Sequence, residues 1–123
     1  MKKYQSTNFC QSAIYALNGL YAAFKTQRNI RKHFLIALFI LTLGIIFKLS
    51  LVELSILIIA NTIVIVAELF NSALEFLADA RFGYRYSKFC KFAKDIGAGA
   101  VLFGALVEAL VAIILILPKI CQI

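Results

Sequence analysis

Three long apolar runs decide what this chain can fold into. They cover residues 34–49, 51–70 and 96–117. The second and third reach about 20 residues and can cross a hydrocarbon core of about 30 Å as helices. The first is about 24 Å long if helical, so its flanks must snorkel to the interface. Composition agrees: 63% of the 123 residues are hydrophobic, mean hydropathy is +0.91, and there is a single Pro. A soluble domain carries about 45–50% apolar residues. The expectation is one all-α integral membrane domain over 1–123. The first 33 residues show no apolar stretch followed by a small-residue cleavage site, so no signal peptide is expected.

Basic residues set the orientation. Of 13 Lys and Arg, all but Lys48 and Lys119 precede the first run or lie between the second and third. The positive-inside rule then predicts a cytoplasmic N-terminus and a cytoplasmic loop at 80–92, with the C-terminus outside. The net charge of +7 is read as serving orientation, lipid headgroups and nucleotide phosphates rather than nucleic acid, because the charges flank the spans. Residues 8–29 gather Phe9, Ala13, Ala16, Leu17, Leu20, Ala23 and Phe24 toward one helical face. They predict an amphipathic helix lying on the membrane surface. Lys48, Ser50 and Glu53 mark a tight outer turn, and Pro118 is expected to end the last helix. Cys10, Cys90 and Cys121 show no metal or disulfide spacing and are read as small apolar residues.

Chemistry enters through a polar stripe. In ANTIVIVAELFNSALEFLAD, residues 60–79, Asn61, Glu68, Asn71, Glu75 and Asp79 fall within about 80° of one another on a helix wheel. Intramembrane acids are expensive, and packing alone seldom needs three on one face. Depth separates their roles. Glu68 lies about 26 Å from Leu51, near the inner edge of the hydrocarbon, where a lipid hydroxyl floats. Glu75 lies about 10 Å farther, in the headgroup zone, and Asp79 at the water boundary. Glu68 is therefore the better general base, and Glu75 the better ligand for a hard cation. Asn71 between them can bond a phosphate or a carboxylate. Lys94 can neutralise a transferring phosphoryl group, and Asp95 can hold a polar partner at the start of the third span. Glu108 lies near mid-membrane and is expected to be neutral or paired with Asn61 or Thr62. Gly97 and Gly99 are read as allowing close helix packing, and His33 as touching lipid headgroups.

These residues resemble a known family. Glu68-Leu-Phe-Asn71-Ser72-Ala-Leu-Glu75-x-x-x-Asp79, followed by Ala93-Lys94-Asp95-Ile96 and small residues, is similar to the signature of the small prokaryotic diacylglycerol kinases and undecaprenol kinases. The likeness extends to Asn18-Gly19-Leu20, to Gln27-Arg28-Asn29-Ile30-Arg31 and to Leu117-Pro118-Lys119. It implies a surface helix (8–29) and three transmembrane helices (34–49, 51–79 with its cytoplasmic extension, 94–117), joined by the 80–92 loop and assembled as a homotrimer. It implies Mg²⁺-dependent transfer of the ATP γ-phosphate to a membrane lipid alcohol, at a cytoplasmic-side site in a prokaryotic plasma membrane. Carried over by motif, Glu68 is the catalytic base and, with Ala98, faces the lipid. Glu75 and the residue at Gln27 hold the metal, and Asn8, Tyr15, Asn71, Asp79, Tyr86, Lys94 and Asp95 line the nucleotide site. Family members often carry Glu where this chain has Gln27, so one negative charge near the metal is missing. Resemblance favours undecaprenol as acceptor, with diacylglycerol the alternative. A small oligomeric pore or holin-like protein is the competing reading, in which the acids would line a channel.

Overall fold

The computed structural model describes residues 8–83 and 85–122, and all its regular structure is helical. Four helices follow one another: α1 (Phe9–Thr26), α2 (Arg28–Ile46), α3 (Leu51–Phe82) and α4 (Lys88–Ile120). The last three are long and apolar enough to cross a membrane. The long α3 and α4 pack most extensively, and α2 lies mainly against α3. A core of Leu49, Leu57 and Ile116 closes the end of the bundle opposite the acidic stripe.

The helix limits differ from the sequence expectation in three places. The segment 8–29 is not one helix. It breaks at Gln27, whose extended backbone (φ −96°, ψ 109°) both ends α1 and starts α2. Arg31 stabilises that corner by donating from its guanidinium to the carbonyls of Phe24 and Lys25, each at 2.8 Å. Cations suit helix C-termini, where carbonyls lack partners. Phe24 and Phe34 meet edge to face across the corner, 5.7 Å between centroids. The first span therefore starts at Arg28 rather than 34 and gains basic turns that can snorkel. The 80–92 loop contracts likewise, since α3 runs to Phe82 and α4 begins at Lys88. Pro118 does not end α4, which continues to Ile120. A proline removes one amide donor near the terminus, and the turn still closes through the Cys121 amide on Leu117 O at 3.1 Å.

The turn between α2 and α3 sets the register of the hairpin. Lys48 donates to Ile45 O (3.0 Å) and Leu49 to Gly44 O (2.9 Å), the paired bonds of a Schellman ending. Ser50 then caps α3 reciprocally: its amide donates to Glu53 Oε2 (2.7 Å), and its Oγ accepts from the Glu53 amide (3.3 Å). Lys119 of α4 reaches Glu53 at 3.4 Å. A Cβ on Gly44 would stand 3.0 Å from Leu49 Cδ1 and 3.2 Å from Leu54 Cδ2, so glycine lets the helices approach. Lys48 occupies the left-handed region (φ 55°), where a side chain costs about 1–2 kcal/mol and glycine is at ease. Lys48→Gly is expected to stabilise the protein by roughly 0.5–1 kcal/mol after the greater chain entropy of glycine is subtracted. Thermal unfolding in detergent checks this; a lower midpoint would mean that the lysine side chain itself holds the turn.

Candidate active site

Two interhelical registers build the site. Along α4, Gly97 and Gly104 face Asn71 and Val64 of α3, so the two helices run antiparallel with seven residues between matched positions on each. Along α2, the Asn61 Nδ2 donates to Ala37 O at 3.2 Å. Two turns toward the basic end from that bond, Ile30 and Glu68 stand at one level, both buried (4% and 3% exposed).

The stripe on α3 is graded by burial. Glu68, Asn71 and Ser72 are buried, whereas Glu75 and Asp79 are half-buried. Asn71 Nδ2 donates to Glu75 Oε1 at 3.4 Å. That bond fixes the amide's orientation, because turning it over would set its oxygen against a carboxylate. Asn71 Oδ1 is then left buried and without a partner, as is Ser72 Oγ. Orphaned buried acceptors are rare and costly, and they mark places where a ligand can supply the missing bond. Glycine at 97 keeps that oxygen in place, since a Cβ there would collide with it.

Asp79 closes the outer end. It accepts from Lys94 Nζ at 2.5 Å, across the α3–α4 interface. Asp95, one residue on, instead pairs with Lys91 along the exposed face of α4. Arg85, Tyr86, Ser87, Lys91, Lys94 and Asp95 line a cleft of about 220 Å³ beside this pair. A second groove of about 290 Å³ is almost wholly apolar and runs between α1 and α3, bordered by Gly19, Ala23, Thr26, Leu69, Ser72 and Phe76. Its α3 wall includes Leu69, the residue after Glu68, and Ser72, one turn on from it.

The structure thus gathers Glu68, Asn71, Glu75, Asp79 and Lys94, with Tyr86 and Asp95 on the adjoining cleft. Other expected site residues stand apart. The Asn8 side chain caps α1 by accepting from the Gln11 amide at 2.9 Å, Tyr15 lies on the exposed surface of α1, and Ala98 is exposed. Gln27 is half-buried at the α1–α2 corner. Of the residues expected to pair with Glu108, Asn61 donates from Nδ2 to α2 and keeps a buried, unpartnered Oδ1, and Thr62 Oγ1 bonds Ile58 O at 2.8 Å. Glu108 is buried at 5% exposure on the face of α4 that bears Gly104. His33 lies near Glu68 rather than only among headgroups, and Asn29, one turn before it on α2, also lies near the Glu68 carboxylate. Neither residue stood out as chemistry-bearing in the sequence; counting antiparallel turns back from the Lys48–Ser50 corner is the signal that finds them.

Residues 14–116 match the family described as prokaryotic diacylglycerol kinase. Over 111 residues the chain is 36% identical to a protein named diacylglycerol kinase from Synechocystis sp. (strain ATCC 27184 / PCC 6803 / Kazusa), an alignment covering 90% of this chain and 63% of that protein. It is 30% identical, also over 111 residues, to one named undecaprenol kinase from Bacillus subtilis (strain 168), covering 90% of this chain and 89% of the relative. The chain therefore spans less than two thirds of the Synechocystis relative's length.

Proposed function

The chain belongs to the prokaryotic diacylglycerol kinase family, and from that membership we propose that it is a membrane lipid kinase transferring the γ-phosphate of ATP to a lipid alcohol. Undecaprenol is the acceptor favoured by the motif resemblance and diacylglycerol the alternative; each is named in one of the two relatives. The observation that carries the reading is the burial gradient from Glu68 to Asp79, closed at its wetter end by Lys94. A lipid hydroxyl and a soluble triphosphate approach such a stripe from opposite directions.

In this reading Glu68 accepts the proton of the lipid hydroxyl as its oxygen bonds to the γ-phosphorus and the bond to ADP breaks. The apolar α1–α3 groove holds the lipid beside Glu68. Lys94, fixed by Asp79, neutralises charge on the transferring group. Asn71 Oδ1 is the free acceptor beside Glu75. Among the described residues no three His, Cys, Asp or Glu side chains gather as a metal cage. That fits a Mg²⁺ that arrives on the nucleotide, which needs only one or two protein carboxylates besides phosphate and water. Glu75, and Gln27 through its neutral oxygen, would hold it, and its charge would stabilise the phosphates. The chain acts as one kinase unit over 1–123, as a homotrimer with shared sites, in a prokaryotic plasma membrane with the basic end cytoplasmic. The surface-helix role of α1 is supported by Phe9, Leu17 and Leu20, which are 87%, 65% and 52% exposed in the protomer.

Purified protein incubated with Mg-ATP and either undecaprenol or diacylglycerol in mixed micelles tests the proposal. Phosphorylated lipid is expected, faster with undecaprenol; no product from either alcohol would refute it. The pore reading requires acids along the whole bilayer, but here the stripe acids gather at one end of α3, with Glu108 deep on α4 and Glu53 occupied in the cap at the far turn. A further expectation concerns the one-charge deficit at Gln27. Gln27→Glu should lower the Mg²⁺ concentration needed for half-maximal turnover, and its effect should be coupled to that of Glu75→Gln, because ligands of one ion act as a unit. Strict additivity in a Mg²⁺-titrated double-mutant cycle would place Gln27 outside the metal's reach.

A further inference from the structure

Glu68 needs more than depth to work as a base: its carboxylate must be held at one rotamer against an apolar surround. Its own helix offers Asn71, whose amide nitrogen donates one proton to Glu75 at 3.4 Å and has a second proton near Glu68. The opposing helix offers more. The Asn61–Ala37 bond sets Ile30 level with Glu68, and Gly44 against Leu54 and Leu57 confirms the antiparallel packing toward the far end. Ile30 fills the interface, so the residues beside it on α2 border the carboxylate. They are Asn29, exposed in the protomer with its amide near the carboxylate, and His33, one turn deeper on the same side of α2. Asn29 sits in the first turn of α2, held by the Arg31-braced corner.

We propose that Asn29 is a positioning residue of the phosphoryl-transfer site: its side-chain amide, with His33 as the deeper wall, orients the Glu68 carboxylate toward the lipid hydroxyl. The inference rests on the kinase reading above. The α1–α2 corner thereby becomes part of the catalytic apparatus, since it places Asn29 against α3. An amide suits the task because it donates to a carboxylate without neutralising it. An aspartate of the same shape can only accept, and would turn Glu68 away.

The shape-conserving Asn29→Asp exchange is the critical test, because a merely structural role would tolerate it. It should lower kcat by about 10-fold or more and leave KM for Mg-ATP and for lipid within about twofold, as misorientation of a base predicts. In a Glu68→Gln background the same exchange should add little. Should Asn29→Asp fail to fold, Asn29→Ser, which keeps a donor, should retain more kcat than Asn29→Ala. Wild-type turnover in Asn29→Asp, an equal fold loss in both backgrounds, or equal Ser and Ala variants would each overturn the proposal. Difference infrared spectra read the contact without turnover. The carboxylate band of wild type should shift in Asn29→Ala, and that shift should vanish when Glu68 is Gln. A shift in a protein that phosphorylates neither lipid would leave the positioning contact standing and remove the kinase reading; no shift would remove the contact.

Discussion

Glu68→Gln is expected to lower phosphoryl transfer by about 10²-fold or more while the helical fold and nucleotide affinity persist. Glutamine keeps the shape of the side chain and loses only its capacity to take a proton, and positioned general bases contribute about 10²–10⁴-fold. The site is buried at 3% exposure, so bulk water is a poor substitute base there. The fold should tolerate the change, because a neutral amide is cheaper to bury than a carboxylate. Steady-state kinetics on purified protein, with nucleotide binding measured separately, decide the matter. Turnover near wild type would remove Glu68 from the mechanism, and lost nucleotide binding would give it a different role.

Gly97→Ala should be nearly as damaging, by about 10²-fold in turnover, although Gly97 touches no substrate. The new Cβ collides with Asn71 Oδ1, and Asn71 is the residue that bonds Glu75. Asn71 must move by on the order of 1 Å, and displacements of that size cost about 10²-fold in positioned chemistry. Stability should change less. Overpacking costs about 1–3 kcal/mol, and alanine returns about 1 kcal/mol of helix propensity. The control is Gly99→Ala. Nothing lies within 4 Å of a Cβ there in the protomer, so the helix gain stands alone. Equal activity in the two variants would show that the place of Asn71 is not critical.

The two glycines show where local reading stops. Both are small residues on a membrane helix and look alike as packing sites. Only the α3–α4 register gives Gly97 a neighbour in this chain and leaves Gly99 in open space. Glu108 makes the same point from the opposite side. Depth alone sets Asn61 and Thr62 within its reach, but the Asn61 amide nitrogen turns to the Ala37 carbonyl and Thr62 to its own helix.

Much of the architecture is written in periodicity and charge. Apolar runs of bilayer length, a 3.6-residue polar stripe and basic flanks are properties of consecutive residues, so one strand of text carries them. The graded burial of Glu68, Asn71, Glu75 and Asp79 on one face of α3 follows from that local geometry. Three features depend on where one helix lies against another. The break at Gln27 arises from Arg31 reaching back to the α1 carbonyls. The Lys94–Asp79 pair forms between residues 15 positions apart, and α4 offers Lys94 no acid one turn away. Asn29 beside Glu68 depends on how many turns separate each from the Lys48–Ser50 corner. A helix repeats its own faces every 3.6 residues whatever lies next to it, so sequence determines which side chains share a face. Which of those faces meet, and at what level, is decided only when the turns, the glycine contacts and the interhelical bonds settle the packing.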